Sequence, residues 1–332
     1  MAIVEIAIDI GSSNTVIYKK GSGVVLREPT LIALQNTQKH NYKVLAVGLE
    51  AKKLQGKTGE DVTIVSPVIE GVIKNTELAV EMIKYFLSKI TKGFEKFKAL
   101  VVVPCGVTEE EIKDFQKVMF SSGIGRVSFV SSLVCLALGS KNTQANHSQL
   151  IVNIGGGKTE IGAVINASVL SGCTISYGGR SIDNAIVEFL QETHNIKISN
   201  VTAEKIKNEI ASLYETDRSN IEIAGADVMS NRFVSDVVAA REIRPVIADG
   251  LSRIVATILA VIGECAPDVV ADIHNKGIYL SGGVSQLVGI EEFMSKILEI
   301  PVVVLDQPEN TVILGAGKLL NDSVLYAEVV SE

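Results

Sequence analysis

The stretch IVNIGGGKTEIGAV, from Ile151 to Val164, has a counterpart near the start of the chain, AIDIGSSNTVIY, from Ala7 to Tyr18. Each copy is a short apolar strand, a turn of glycine and polar residues, and a second apolar run. The apolar run directly after the turn predicts a β-hairpin, whereas a P-loop or a dinucleotide-binding turn leads into a helix. Small turn residues let backbone N–H groups approach phosphate oxygens closely. One copy alone would suit a simple tight hairpin equally well, but two copies favour two half-molecules that close on one phosphate chain.

Equivalent positions of the two copies carry related residues. Aligned on their turns, the copies pair Asp9 with Asn153, Gly11 with Gly155, Asn14 with Lys158, and Thr15 with Thr159. The backbone N–H groups that we expect to meet phosphate oxygens belong to Gly11, Ser12, Ser13 and Asn14 in one copy and to Gly155, Gly156 and Gly157 in the other.

Asp9 lies at the end of the first predicted strand, beside the expected phosphates. A carboxylate next to a phosphate chain is favourable only when a cation lies between them. We therefore expect Asp9 to orient Mg²⁺ through water. The alternative is an aspartate that only stabilises the turn.

Length and composition limit the class of protein. A chain of 332 residues is too long for one simple core, so two lobes are expected. The net charge of −7 argues against a protein that binds nucleic acid through phosphate contacts. The four cysteines are scattered without a CxxC motif, which is typical of buried thiols in a reducing compartment. We expect no signal peptide, and the longest apolar run, Ile254 to Gly263, is too short to span a bilayer.

Several local patterns predict individual elements. Thr108 and Glu111 have the spacing of a capping box at a helix start. The polar segment from Lys141 to Gln149 is expected to connect the lobes. The other predictions are a helix over Leu78–Ile90, a helix over Ala203–Tyr214 capped by Thr202, a short helix over Ser235–Arg241, and a long helix that has Pro245 in its first turn and ends at Gly263.

The segment TKGFEKFK, from Thr91 to Lys98, is predicted to be a loop. Its two rings, Phe94 and Phe97, lie among three lysines. One interpretation is a membrane-contacting loop, in which the rings enter the interface and the lysines meet anionic headgroups. The other interpretation is that both rings pack into the core beneath a solvated loop.

The order and spacing of these motifs resemble the actin-like ATPase superfamily, and most closely the bacterial MreB family. The resemblance runs over nearly the whole chain. It is carried by AIDIGSSNT from Ala7, EPTLIAL from Glu28, VLAVGLEAKKL from Val44, PVIEGVI from Pro67, VVVPCGVTEEE from Val101, NIGGGKTEIGAV from Asn153, GGRSIDNAIVEFL from Gly178, TAEKIKNEI from Thr202, and GIYLSGGVSQLVGIEEF from Gly277.

This resemblance implies an α/β protein with the actin-like, ribonuclease H-like two-lobed fold, in which duplicated mixed sheets are flanked by helices and each lobe carries a small subdomain. It implies ATP or ADP with Mg²⁺ between the lobes, and filaments, single or paired, at the inner face of the cell membrane that govern cell shape. The implied subdomains are IA over residues 1–30, 72–145 and 313–332, IB over 31–71, IIA over 146–180 and 246–312, and IIB over 181–245.

The resemblance also implies contacts with the nucleoside. Glu204 and Lys207 lie about one turn apart on a predicted helix and correspond to the ribose and adenine contacts of the family. A solvated surface ion pair is the alternative for this pair. Gly282 and Gly283 correspond to the adenosine loop, where the backbone lies against the base.

Four departures from the family pattern bear on hydrolysis. MreB proteins carry a glutamate that positions the attacking water, and Ser132 takes its place in FVSSLVCLALG from Phe129. A serine is too short and too weakly basic for that role. Asn153 replaces an aspartate and removes a charge from the outer shell of the metal, and Arg180 stands where an acidic residue is common. Lys158 replaces a usual threonine. We expect Lys158 to hold the γ-phosphate, although a catalytic cation or a solvent-facing lysine would also fit the sequence.

The leading hypothesis is therefore a filament subunit that binds ATP and hydrolyses it slowly. It would associate with copies of itself, with paralogous filament proteins and with the membrane surface, and not with nucleic acid. One alternative is a pseudo-ATPase that does not polymerise and joins a paralogous filament. A small-molecule kinase on the same fold is another, but it needs a carboxylate base facing an acceptor hydroxyl, and the sequence offers no candidate.

Overall fold

The computed structural model describes residues 3–36, 42–59, 61–91, 93, 95–140 and 147–330. The strands of the first half are β1 (Ile3–Ile10), β2 (Asn14–Lys19), β3 (Gly23–Pro29), β4 (Ile32–Asn36), β5 (Tyr42–Val47), β6 (Val62–Val65), β7 (Val68–Ile69), β8 (Val72–Ile73), β9 (Lys96–Val103) and β10 (Ile124–Ser131). Those of the second half are β11 (Gln149–Ile154), β12 (Thr159–Ile165), β13 (Ser168–Ile175), β14 (Ile196–Lys197), β15 (Asn220–Asp227), β16 (Phe233–Ala239), β17 (Ile278–Ser281) and β18 (Val302–Val304).

The helices alternate with these strands. They are α1 (Leu49–Leu54), α2 (Thr76–Ile90), α3 (Glu109–Ser121), α4 (Ser132–Gly139), α5 (Gly179–Thr193), α6 (Asn200–Ile210), α7 (Ala240–Gly263), α8 (Pro267–Lys276), α9 (Ile290–Leu298), α10 (Thr311–Asn321) and α11 (Ser323–Val329), with a short 3₁₀ helix over Gly283–Gln286.

Two five-stranded sheets with the same strand arrangement form the framework. The first has the order β10-β9-β1-β2-β3 and the second has the order β13-β12-β11-β17-β18. In each, the hairpin predicted from the repeated stretch provides the central antiparallel pair, β1 with β2 and β11 with β12. The first strand of each hairpin also pairs in parallel with a later strand, β9 or β17. The duplicated, mixed α/β architecture of two actin-like lobes is therefore confirmed.

Smaller sheets follow the same division of the chain. The sheets β5-β4-β6 and β7-β8 lie between β3 and α2, and the sheet β14-β15-β16 lies between α5 and α7. These positions correspond to the small subdomains implied by the resemblance, whose boundaries stay a prediction. Residues 141–146 of the predicted connection between the lobes lie outside the described residues.

The lobes share a core beneath the cleft between the two sheets. The helix α4 is apolar on all sides, as expected of a helix that is buried all round. It packs with α10 between the sheets, against Ala7 and Leu100 from one sheet and Ile151 and Val164 from the other. This arrangement fixes the carboxyl ends of β1 and β11 near each other, at the floor of the cleft.

Three local predictions needed correction. The segment Ser235–Arg241 is mostly strand β16, because its side chains alternate in exposure through Ala239. The helix α7 begins at Ala240, five positions before Pro245, because Glu242 accepts a hydrogen bond from the Ala239 N–H at 2.8 Å. The N-cap of α6 is Ser199 rather than Thr202, since the Ser199 hydroxyl accepts from the Thr202 N–H. The capping box of Thr108 and Glu111 is confirmed.

One helix in the described part of the chain, α7, has the length and composition of a membrane span, with a mean hydropathy of 1.8. Its buried ridge includes Ile243, Ile247, Leu251, Ile254 and Ile258, all in the core of the second lobe. Because core helices of soluble proteins pass the same test, this apolar character is accounted for by packing.

The prediction of membrane contact was wrong for Phe97. This residue lies on β9, which begins at Lys96, inside the segment predicted to be a loop, and its side chain is 8% exposed in the core of the first lobe. Strand alternation is the physical reason, because Phe97 points inward while Lys96 points to solvent. Phe94 lies outside the described residues.

Candidate functional site

The two glycine turns have the same internal geometry. The Gly11 N–H donates to the Asn14 carbonyl at 3.0 Å, and the Gly155 N–H donates to the Lys158 carbonyl at 2.9 Å. In the strand registers, Asp9 is opposite Val16 and Asn153 is opposite Glu160. The sequence duplication is therefore a structural one, and Glu160 occupies the place that Val16 has in the first copy.

The turns face each other closely enough to exclude larger side chains. A methyl group added at Gly157 would lie 2.7 Å from the Ser12 hydroxyl oxygen, and one at Gly156 would overlap the Ser13 side chain. The Ser12 hydroxyl accepts a hydrogen bond from the Gly71 N–H at 2.9 Å, so the β7–β8 hairpin lies over the first turn. The two turns and this hairpin thus form a narrow cradle of backbone groups.

All residues predicted for the nucleotide site line one cleft of about 920 Å³ between the lobes, a volume that suits a small-molecule ligand. They are Asp9, Gly11, Ser12, Ser13, Asn14, Ser132, Asn153, Gly155, Gly156, Gly157, Lys158, Glu204, Lys207, Gly282 and Gly283. Their proximity follows from the two hairpins, α4, α6 and the end of β17. Their individual roles stay predictions.

Asp9 lies at the cleft floor. Burial raises the pKa of its carboxyl from 3.8 to about 6, with Lys158 opposing and Glu160 reinforcing the shift. Among the residues that the structure describes, no group of three or more His, Cys, Asp or Glu side chains could enclose a metal ion. A carboxylate with a raised pKa and few protein ligands fits a cation that keeps its water shell, as Mg²⁺ does.

Glu160 is a site residue that the sequence reasoning missed. Its side chain is 1% exposed and accepts hydrogen bonds from Ser132, from the Cys105 N–H at 2.9 Å and from Asn153 at 3.4 Å. Lys158 Nζ lies 3.0 Å from its Oε2 atom. Burial acts to raise the pKa of this carboxyl, but Lys158, Ser132 and Cys105 together hold it below its usual value. Glu160 is thus an ionised carboxylate with four donors.

The sequence does contain a signal for Glu160. It is the only charged residue in the apolar run TEIGAVI, residues 159–165, and it aligns with Val16 of the first copy. A charge inside a buried strand is costly unless it is paired, and so it marks a specific interaction. Comparing the two copies position by position would have identified it.

Lys158 and Arg180 both lie beside the glycine turns that line the cleft. The Lys158 side chain is 14% exposed, which rules out the solvent-facing alternative. Its stem passes beside Gly71, where an added methyl group would lie 2.6 Å from Lys158 Cε. Arg180 donates from its guanidinium to the Ser12 carbonyl, so a cation of the second lobe contacts the first turn.

Glu204 and Lys207, the residues predicted to contact the nucleoside, line the cleft from one face of α6. Lys207 donates to Asp183 at 2.6 Å and to the Gly179 carbonyl at 3.0 Å, and it is largely buried. Glu204 lies 3.3 Å from Lys52 of the first lobe, across the mouth of the cleft. The predicted alternative, an ion pair between Glu204 and Lys207 themselves, is therefore wrong.

The loop after β17 brings backbone into the cleft. Gly282 has a φ of 87°, and a methyl group there would lie 2.8 Å from the Asn153 amide oxygen. A methyl group at Gly283 would meet no atom of the described part of the chain within 4 Å, and this position lines the cleft. Because Gly282 and Gly283 carry no side chains, a flat group has room beside the backbone of this loop.

Two equivalent lobes that enclose a cleft between matched hairpin turns define an actin-like protein. A model of the MreB/Mbl protein family matches residues 3–327, and the chain belongs to this family of cell-shape cytoskeletal proteins. The cell shape-determining protein Mbl of Bacillus subtilis is 30% identical over 322 residues, which cover 96% of each chain. Cell shape-determining protein MreB of Escherichia coli K12 is 30% identical over 95% of this chain and 93% of its own.

Solved structures agree with this family. A crystal structure of MreB5 of Spiroplasma citri bound to AMPPNP has a TM-score of 0.92 and 27% identity, and the match covers 99% of this chain and 98% of that one. The MamK double helical filament has a TM-score of 0.80 over 96% of this chain and 99% of its own, and at 17% identity it supports the fold alone.

Proposed function

We propose that the chain is an ATP-binding filament subunit that hydrolyses ATP slowly. The observation that carries this proposal is the pair of equivalent turns, around Gly11 and Gly155, that face each other across one cleft. Backbone N–H groups from both lobes would meet the phosphate chain there. The solved structure of MreB5 of Spiroplasma citri is similar to this chain overall and is bound to AMPPNP. This similarity supports a nucleotide in this cleft.

Mg²⁺ would be held at Asp9 through water, with Asn153 as a neutral neighbour. The metal would supply charge neutralisation at the phosphates and orient the terminal group. Asp9 contributes the negative charge, and Asn153 contributes hydrogen bonds without a second charge. Because only one of these two residues is charged, the outer shell of the metal carries less negative charge. We expect this arrangement to allow nucleotide binding and to slow hydrolysis.

Slow hydrolysis follows from the state of the carboxylates. Ser132 supplies no base, and its hydroxyl is engaged by Glu160. Glu160 itself accepts from four donors and is a poor base for that reason. An attacking water would thus lack a carboxylate partner at this position, while the phosphate-binding turns are complete.

The same proposal extends to assembly and location. Self-association into single or paired filaments is supported by membership of the MreB/Mbl family. We further infer a peripheral position at the cytoplasmic face of the membrane. Exposed Ile3, at 68%, beside exposed Lys96 in the β1–β9 register provides an apolar and a basic group on one surface for such contact.

The test is a titration of the purified chain with fluorescent ATP and ADP analogues, with and without Mg²⁺. We expect Mg²⁺-dependent binding that Gly156→Val abolishes, because a branched side chain would overlap Ser13. Gly93→Val is the control, since no atom of the described residues lies within 4 Å of a methyl group there. Failure of the wild-type chain to bind either analogue would refute the proposal.

Pelleting experiments address the alternative of a partner that does not assemble alone. Sedimentation with ATP, by itself and mixed with a related filament protein, distinguishes the two cases. Pelleting of the chain alone supports a filament subunit. Pelleting only with the relative supports a co-assembling pseudo-ATPase.

A further inference from the structure

The ammonium of Lys158 is held from two sides at the phosphate end of the cleft. Its Nζ atom lies 3.0 Å from Glu160, and its stem lies against Gly71 of the β7–β8 hairpin. Both side chains of the ion pair are largely buried, at 14% and 1% exposure. A buried pair is screened little by water, so the charge of Lys158 is largely balanced by Glu160.

Glu160 is the fixed member of this pair. Its Oε1 atom accepts from Ser132 and from the Cys105 N–H, which belong to the first lobe, while Glu160 itself belongs to the second. Asn153 contacts its Oε2 atom at 3.4 Å. Lysine has a flexible four-carbon stem, so Lys158 is the member that is able to change partners.

We propose that Glu160 is a positioning residue that competes with the terminal phosphate for the Lys158 ammonium, and thereby sets how strongly the cleft prefers ATP to ADP. This inference rests on the proposed function of the cleft. ATP presents a γ-phosphate at the turn that carries Lys158, and ADP does not. Every gain in the strength of the Lys158–Glu160 pair therefore lowers the affinity for ATP more than that for ADP.

Two substitutions separate pairing from charge. Glu160→Gln removes the charge and the ion pair together. Glu160→Asp keeps the charge but withdraws the carboxylate by one methylene, which lengthens the pair with Lys158. If Glu160 acts through Lys158, both variants increase the preference for ATP. If only the charge of Glu160 matters, Glu160→Asp has no effect.

The experiment measures dissociation constants for ADP and for AMPPNP, which avoids turnover, by calorimetry in Mg²⁺. The variants are Glu160→Gln, Glu160→Asp, Lys158→Thr and the double variant Glu160→Gln/Lys158→Thr. Glu222→Gln, at an exposed carboxylate on β15, is the control for loss of one charge. We expect the preference for AMPPNP to rise about tenfold in Glu160→Gln and about threefold in Glu160→Asp, and to fall in Lys158→Thr. On the Lys158→Thr background, Glu160→Gln should change the preference for AMPPNP over ADP by less than about twofold.

An unchanged or lower preference in both Glu160 variants, with both nucleotides still bound, overturns the inference and leaves the proposed function in place. An equal rise on the Lys158→Thr background also overturns it, because Glu160 would then act on the phosphate directly. A wild-type chain that binds neither nucleotide contradicts the proposed function itself. If Glu160→Gln does not fold, the sign of the Glu160→Asp effect decides the question.

Discussion

Ser132 and Lys158 are two of the predicted departures from the MreB pattern, and in the folded chain both contact Glu160. Their effects on the cleft are therefore coupled. Each departure could be recognised in the sequence, because the family motif specifies the residue expected at each position. The sequence did not predict that they converge, since residues 132, 158 and 160 meet only after two lobes pack together.

Restoring the missing carboxylate is the first test of the site. Ser132→Glu should raise phosphate release per bound ATP by about tenfold or more, because a general base contributes roughly 10²–10⁴-fold where its geometry is good. The new carboxylate would lie beside Glu160, so we also expect a loss of about 1–2 kcal/mol in the free energy of unfolding. Ser132→Met matches the length without the charge and should not raise phosphate release. Equal rates in all three proteins, with binding intact, would contradict this assignment of Ser132.

Asp9 should make stability depend on pH. Its pKa is raised to about 6 in the folded chain, above the ordinary value of 3.8, so the folded state binds more protons than the unfolded state between these values. Stability from this group is therefore present at low pH and lost as pH rises toward 6 and above. The free energy of unfolding of Asp9→Asn, relative to that of wild type, should therefore increase by roughly 2 kcal/mol from pH 4 to pH 7. Urea unfolding without Mg²⁺ measures this difference, and an equal difference at both pH values would disprove it.

At the scale of elements, the hairpins, the main helices and the capping box were predictable because hydrophobic period and turn residues are local signals. The errors fell where tertiary packing decided. The segment Ser235–Arg241 contains residues compatible with a helix, but pairing of β16 with β15 made most of it a strand. Phe97 appeared in a lysine-rich stretch, and parallel pairing of β9 with β1 placed its ring in the core.

Phe97 should behave as a core residue. Phe97→Ala is expected to cost about 3–5 kcal/mol in the free energy of unfolding, the usual loss for a buried phenylalanine. Phe120→Ala is the matched control, because Phe120 on α3 is 49% exposed, and it should cost less than about 1 kcal/mol. Chemical denaturation measures both. If Phe97→Ala were as stable as wild type and bound vesicles more weakly, Phe97 would instead be a membrane-contacting residue.

At the scale of the whole molecule, the lobes contact each other around the cleft as well as beneath it. Glu70 accepts from the Ser176 hydroxyl at 2.6 Å, the Cys105 carbonyl accepts from Thr174 at 2.8 Å, and Lys52 faces Glu204 at the mouth. A ligand that contacts both glycine turns is therefore linked to the angle between the lobes. We therefore propose that nucleotide state and self-association are coupled in this chain.

The nucleotide content of sedimented polymer tests the central claim most directly. The purified chain is incubated with Mg²⁺ and ATP, and the polymer is collected by ultracentrifugation. The ATP and ADP bound to the polymer are then separated and quantified. We predict a pellet whose bound nucleotide is mainly ATP long after assembly is complete, since the turns bind nucleotide while Ser132 provides no base. The absence of a pellet, or a pellet that already holds mainly ADP when assembly ends, would contradict a slowly hydrolysing filament subunit.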